Sequence, residues 1–273
     1  MKILMIGDVV SQCGCEMVRT CLPQLKRQFG ADVAIVNGEN AAIGNGILPG
    51  SAEHLFASGA DVITTGNHVF RRFEMYDYLA SHEQIIRPAN YRPDAPGNGV
   101  YLYDGGSFSL LVVNLMGTSF LDPLKNPFDT MDEILKQYDA TYTVVDFHAE
   151  ATGEKRALGF YLDGRVSAVF GTHTHVQTAD AQILKNGTAY ITDVGMTGPE
   201  HSALGVKPER VIERLRTNLP VRFEVDDKEP CVMGGVCVTL DKKTGRSTGI
   251  VSFLARIDAQ THKITVQTTA ERS

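Results

Sequence analysis

The 273-residue sequence has no tryptophan, and no apolar run approaches the roughly 18 residues that a membrane-crossing helix needs. Basic residues are in short supply: 26 Lys and Arg face 32 Asp and Glu, a net charge of −6 at pH 7. A broad nucleic-acid-binding face needs clustered cations, so an extended nucleic-acid partner is excluded, whereas a small nucleotide at a local site is not. Repeats, low-complexity tracts and linker-like stretches are also lacking, which favours a single domain spanning residues 1–273. Cysteine is sparse. Cys13-Gly14-Cys15 has no second pair at usable spacing, which excludes a thiolate zinc site. Met1–Ile6 runs straight into Gly7-Asp8 as a strand rather than a signal peptide. The expectation is a cytoplasmic protein with five thiols, Cys231 and Cys237 being packed within an apolar strand.

What is present is a 43% hydrophobic, 21% charged chain of globular type. Its first half alternates short apolar runs with helical periodicity: strands at 2–6, 33–36 and 62–65, helices at 16–29, 50–58 and near 73–79. Such a βαβαβα rhythm predicts parallel strands with helices on both faces of the sheet. Runs at 100–103 and 108–113 around Asp104-Gly105-Gly106 read as a hairpin. A helix at 131–138 and strands at 142–147, 166–170 and 189–191 follow, then a helix at 208–217 and a β-rich end, 232–240 and 249–257.

Two familiar patterns fail on context. Gly44-Asn45-Gly46 with Gly50 is nearly a dinucleotide fingerprint, but its third glycine is misplaced and no acidic partner follows at a strand end. Gly245-Arg246-Ser247-Thr248-Gly249 has the nucleophile-elbow form, yet it lies in a polar hairpin turn.

The polar residues that stand out share one position, directly after an expected strand: Asp8, then Glu39 and Asn40, Asn67 and His68, His148, and His173 with His175. In an open α/β sheet the carboxyl ends of parallel strands gather on one edge, so these sequence-distant groups can converge. Two carboxylates, two asparagine amides and three imidazoles form an oxygen and nitrogen donor set suited to manganese, iron or zinc. Seven donors exceed the needs of one catalytic ion and suit a pair bridged by a carboxylate. Glycines before Asp8, Glu39, Asn67 and His173 allow tight turns, and the i, i+2 spacing of His173 and His175 would put both on one side of an extended segment. His54, His82, His201 and His262 read as packing or surface residues.

The motifs GD, NGEN, GNH, DFHAEAT, GTHTHVQTAD and ITDVGMTG together resemble the YmdB-like branch of the calcineurin-type metallophosphoesterases, over nearly the whole chain. The resemblance implies a four-layer α/β/β/α sandwich with the metals at the sheet edge. It implies that Asp8, Glu39, Asn40 and His175 hold one ion and Glu39, Asn67, His148 and His173 the other, iron first, with manganese or zinc also accepted. It further implies hydrolysis of a small nucleotide phosphodiester, 2′,3′-cyclic nucleotides being favoured. In that scheme a metal-bridging hydroxide attacks phosphorus, and His68, beside Asn67 but outside the ligand set, protonates the leaving oxygen.

The chain departs from the family pattern at Ser11 and Cys15 after the first motif, at Thr118 where an arginine is usual, and in the Gly198-Pro199-Glu200-His201 loop. None is an expected metal ligand, but lost arginines bear on phosphate and base contacts. A phosphomonoesterase or 5′-nucleotidase on the same metals, or a metal-stabilised nucleotide sensor, are the competing readings, and self-association is left open.

Overall fold

The structure, a computed structural model, describes residues 1–227, 230–258, 261 and 263–269. Its first part runs β1 (Lys2–Ile6), β2 (Asp8–Val9), α1 (Ser11–Phe29), β3 (Val33–Asn37), α2 (Pro49–Ala57), β4 (Val62–Thr64), α3 (Met75–Ser81) and β5 (Ile85–Ile86). The middle is β6 (Val100–Asp104), β7 (Ser109–Met116), α4 (Pro127–Gln137), β8 (Tyr142–His148), α5 (Thr152–Tyr161) and β9 (Ala168–Thr172). Then come β10 (Gln182–Ile183), β11 (Ala189–Ile191), β12 (Met196–Pro199), α6 (Pro208–Thr217), β13 (Cys231–Leu240), β14 (Ser247–Ile257) and β15 (Ile264–Thr268).

Two sheets form. The larger is ordered β15-β14-β13-β1-β3-β4-β5, with β1, β3, β4 and β5 parallel and β13 antiparallel to β1. The smaller is ordered β10-β11-β9-β8-β7-β6, parallel from β7 through β11 and antiparallel at both edges.

The apolar clusters define four layers. Leu4, Ile6, Val36 and Ile63 point from the larger sheet to α1–α3, against Val18, Leu22 and Leu55. The alternate residues Ile3, Met5, Val33 and Ile35 face the smaller sheet and join Leu110, Val112, Tyr142 and Val144 in one core. Val113, Val145 and Val169 then turn outward to Met131 and Leu158 of α4 and α5. Strand alternation sends successive side chains to opposite layers, which is why these strands read as continuous apolar runs. The expected rhythm of helices on both faces is corrected: each sheet carries helices on one face only, and the other face is covered by the second sheet. The sandwich implied by the resemblance is the architecture present.

Local signals explain most element ends. α1 buries Val18, Cys21, Leu22 and Leu25 at helical spacing and stops at Gly30, whose φ of 66° provides a left-handed cap. It begins at Ser11 rather than near residue 16, because Gly14 lets the first turns lie on β12, where a Cβ would sit 2.4 Å from the Thr197 carbonyl oxygen. Asn126 caps α4 by accepting from the Phe128 and Asp129 amides, with Pro127 at the first helical position.

The helix α5 is absent from the sequence expectation, since Gly153 and Gly159 weaken its propensity; Gly159 is there because Tyr190 packs against it. Cys13 and Cys231 form a disulfide, with Cα atoms 6.8 Å apart across 218 residues. This corrects the expectation of five thiols: the first turn of α1 lies beside the start of β13, which no sequence spacing reveals. Cys15, Cys21 and Cys237 are buried and outside any disulfide, and burial pushes the Cys15 thiol up to about 12 and that of Cys21 to about 11. Among the described residues, no helix is long and apolar enough to cross a membrane.

Candidate metal centre

The residues singled out in sequence come together at the carboxyl ends of both sheets. Asp8 opens β2 just past β1, Glu39 and Asn40 follow β3, and Asn67 and His68 follow β4. His148 ends β8, and His173 and His175 follow β9. The two sheet edges are tied by polar groups: Asn37 Nδ2 donates to Asp146 Oδ2 at 2.9 Å, Thr64 donates to the same oxygen, and the Thr65 amide donates to Asn114 Oδ1. Carboxyl ends of strands from different sheets are thereby held at one mouth.

One half of the cluster surrounds His148. Its Nε2 lies 3.0 Å from Asn67 Oδ1, 3.1 Å from His173 Nδ1 and 3.7 Å from Glu39 Oε1. On the far side of the ring, Nδ1 lies 3.0 Å from Thr172 Oγ1, which itself donates to Asp146 Oδ1 at 2.7 Å. Thr172 therefore accepts from His148 Nδ1–H, and Nε2 presents a bare lone pair. A Cβ at residue 66 would stand 2.2 Å from this ring, so only glycine precedes Asn67 without moving it.

The second half surrounds Asp8 and His175. Asp8 Oδ2 accepts the His173 amide at 3.1 Å, while Oδ1 lies 3.8 Å from His175 Nε2. His175 Nδ1 donates to the Leu204 carbonyl at 3.0 Å, again turning Nε2 inward. Asn40 bridges the His175 and His68 rings, with Nδ2 3.3 Å from His175 Nε2 and Oδ1 3.0 Å from His68 Nδ1. Glu39 Oε1 accepts the His68 amide at 2.5 Å and lies 3.2 Å from His68 Nδ1.

His173 and His175 are not an extended pair, which corrects that expectation. Their φ values are 98° and 64°, both in left-handed territory that costs about 1–3 kcal/mol per residue. Asp193 holds the turn by accepting the amide and hydroxyl of the intervening Thr174 at 3.0 and 2.7 Å. Lys155, itself buried, lies 2.8 Å from Asp193 Oδ2 and donates to the Thr172 carbonyl. Sequence reasoning missed Asp146, Thr172, Lys155 and Asp193. A lone acid inside the apolar run 142–148 was the available signal for the first; the others are legible only in three dimensions.

The electrostatics fit cations. Asp8 Oδ1 and Glu39 Oε2 are buried without a hydrogen-bond partner, two of three such side-chain atoms among the described residues, the other being Thr197 Oγ1. Burial, reinforced by the Asp193 charge, pushes the Asp8 carboxyl well above its usual range. Burial holds His148 well below the usual imidazole range and His175 at about 4, and it lowers His173 too, so all three favour the neutral, donating form. Among the described residues no three His, Cys, Asp or Glu side chains alone form a group that could hold an ion. His148 Nε2 lies 3.0 Å from Asn67 Oδ1 and 3.1 Å from His173 Nδ1, close enough for a cation placed among them to draw on all three.

The residues that depart from the family pattern are engaged structurally. Ser11 Oγ donates to Asp227 at 2.6 Å, Cys15 Sγ contacts the Ala41 carbonyl, and Thr118 donates through amide and hydroxyl to Glu154. His54 lies against the Cys15 carbonyl and His82 stacks on Tyr78, both outside the cluster. His201 is exposed, and His262 lies outside the described residues. Ser247, of the rejected nucleophile pattern, stands at the start of β14 and donates to the carbonyl of Ser167, the residue before β9.

Residues 4–253 match the family model described as YmdB-like protein. The chain belongs to the YmdB-like family. It is 46% identical over 260 residues to a Bacillus subtilis protein named 2′,3′-cyclic-nucleotide 2′-phosphodiesterase, covering 94% of this chain and 98% of that one. Among solved structures it resembles a hypothetical protein from Thermus thermophilus, with TM-score 0.89, 41% identity and coverage of 94% and 99%. It likewise resembles a novel phosphatase from Mycoplasma pneumoniae, with TM-score 0.87, 33% identity and coverage of 99% and 94%. This family member thus carries its marker motifs at the mouth shared by its two sheets.

Proposed function

We propose that this YmdB-like protein is a dimetal phosphodiesterase acting on cyclic nucleotides, with 2′,3′-cyclic esters favoured. The observation that carries the reading is the pair of orphaned buried oxygens, Asp8 Oδ1 and Glu39 Oε2, on carboxylates that lie beside the His175 and His148 imidazoles, whose outer nitrogens are held by Leu204 and Thr172. Asp8, Glu39, Asn40 and His175 would hold one ion, and Glu39, Asn67, His148 and His173 the other, iron first, with manganese or zinc accepted by the same donors. Bound there, such ions acidify water toward neutral pH and neutralise phosphoryl charge. The name of the Bacillus subtilis relative supports the 2′,3′-cyclic substrate.

The chain's own part is positional. Thr172 and Leu204 set the His148 and His175 tautomers, and Asp193 holds the turn between His173 and His175. His68 keeps its Nδ1 against Asn40 and Glu39, and among the described residues its Nε2 makes no hydrogen bond. With a quarter of its side chain exposed, His68, entering as the imidazolium, would deliver the Nε2 proton to the leaving ribose oxygen and become neutral with Nδ1–H retained.

Elemental analysis of protein purified without chelator, beside hydrolysis of 2′,3′-cAMP and 3′,5′-cAMP, tests this. About two transition-metal ions per chain with turnover of the 2′,3′ ester is the expected outcome, and no metal even after reconstitution overturns it. A phosphomonoesterase reading draws on the phosphatase description of the Mycoplasma pneumoniae structure. Faster cleavage of p-nitrophenyl phosphate than of bis-p-nitrophenyl phosphate would favour it.

A further inference from the structure

Each of the three inner imidazoles has its outer nitrogen held by a different kind of acceptor. His148 uses the Thr172 hydroxyl and His175 the Leu204 carbonyl. His173 uses a carboxylate: its Nε2 lies 3.0 Å from Glu150 Oε2. Glu150 sits two residues past the end of β8, half-exposed at the rim of the centre.

We propose that Glu150 is a positioning residue that fixes the tautomer and tilt of His173 for the ion shared with Asn67, His148 and Glu39. The proposal rests on the dimetal reading above. A carboxylate accepts but cannot donate, so His173 keeps its hydrogen on Nε2 and turns the Nδ1 lone pair inward. Without Glu150 that hydrogen could move to Nδ1, 3.1 Å from the bare Nε2 of His148. The two rings would then satisfy one another and close the half-site against a cation. Glu150 disfavours this self-paired arrangement.

The backbone does not set the ring by itself. His173 has φ 98°, and its ring meets His148 edge to face with centroids 4.8 Å apart, a contact that leaves the tautomer open. A carboxylate behind a metal-binding imidazole typically changes metal affinity 10–100-fold. The Glu150 carboxylate pairs with His173 and not with Asp8, Asn40 or His175, so one of two affinities should respond.

The test titrates metal-free protein with Mn²⁺ by calorimetry and follows the melting temperature of the metal-free form. Two ions should bind to the unaltered chain. Glu150→Ala should weaken one site 10–100-fold, leave the other unchanged and leave the metal-free melting temperature unchanged. Glu150→Gln, which retains an acceptor oxygen, should fall between them. Parental affinity at both sites of Glu150→Ala overturns the proposal, as does equal weakening of both sites with a lowered melting temperature. Failure of the unaltered chain to bind Mn²⁺ overturns the dimetal reading itself.

Discussion

Replacing Lys155 by methionine probes what holds the histidine turn. The lysine is 1% exposed, with Nζ 2.8 Å from Asp193 Oδ2 and 2.7 Å from the Thr172 carbonyl oxygen. Methionine keeps most of the aliphatic packing but leaves Asp193 as an uncompensated buried charge near Asp8 and Asp146, both of which feel its field. Removing one member of a buried pair costs roughly 3–5 kcal/mol, because the remaining charge has neither water nor partner. For chains of about this size, each kcal/mol moves the melting temperature by about 2–4 °C, so Lys155→Met should lower it by roughly 10 °C. The double variant Lys155→Met/Asp193→Asn removes both charges, and it should regain at least about 1 kcal/mol despite weakening the bonds to Thr174 and Gly195. Urea unfolding of metal-free protein measures both. A loss under about 1 kcal/mol in the single variant, or a double variant no more stable than the single, refutes the argument.

The remaining predictions concern chemistry and pH. His68→Ala should retain both metals by elemental analysis yet lose turnover about 10²–10⁴-fold; parallel loss of metal and activity would remove the proton-donor role. His175 is held at about 4 against 6.5 in the unfolded chain, chiefly by burial, so the unfolded state binds more protons between those values. Stability that His175 confers is therefore full above pH 6.5 and lost as pH falls toward 4, by at most about 3 kcal/mol. Asp146, raised to about 6 by burial, works in the opposite direction over that window. Urea midpoints of the metal-free protein at pH 7, 6 and 5 should fall less steeply in His175→Asn, and identical slopes would contradict the assignment. Alkylation under denaturing, non-reducing conditions should label the three cysteines Cys15, Cys21 and Cys237. Five labelled cysteines would restore the expectation of five thiols.

Much of the site was legible because its residues follow strand ends, and strands of aliphatic residues are the clearest signal in the chain. Asp8, Glu39, Asn40, Asn67, His68, His148, His173 and His175 all lie in one cluster for that reason. The reading of His173-Thr174-His175 as extended failed because spacing carries no information on φ; Asp193, eighteen residues beyond the second histidine, imposes the left-handed turn. α5 was invisible because Gly159 serves a contact with Tyr190 rather than helix propensity. The first turn of α1 was missed because its support comes from β12, nearly two hundred residues away.

The longer strands and the family are legible in residue types and short spacings alone, whereas the short strands β2, β5, β10 and β12 and the edge strand β15 are not. Only the tertiary structure decided that two sheets pack face to face, that Cys13 meets Cys231, and which nitrogen of each histidine turns inward. Those outcomes depend on which remote group becomes a neighbour. A strand's pattern records that its two faces are buried, but not what buries them.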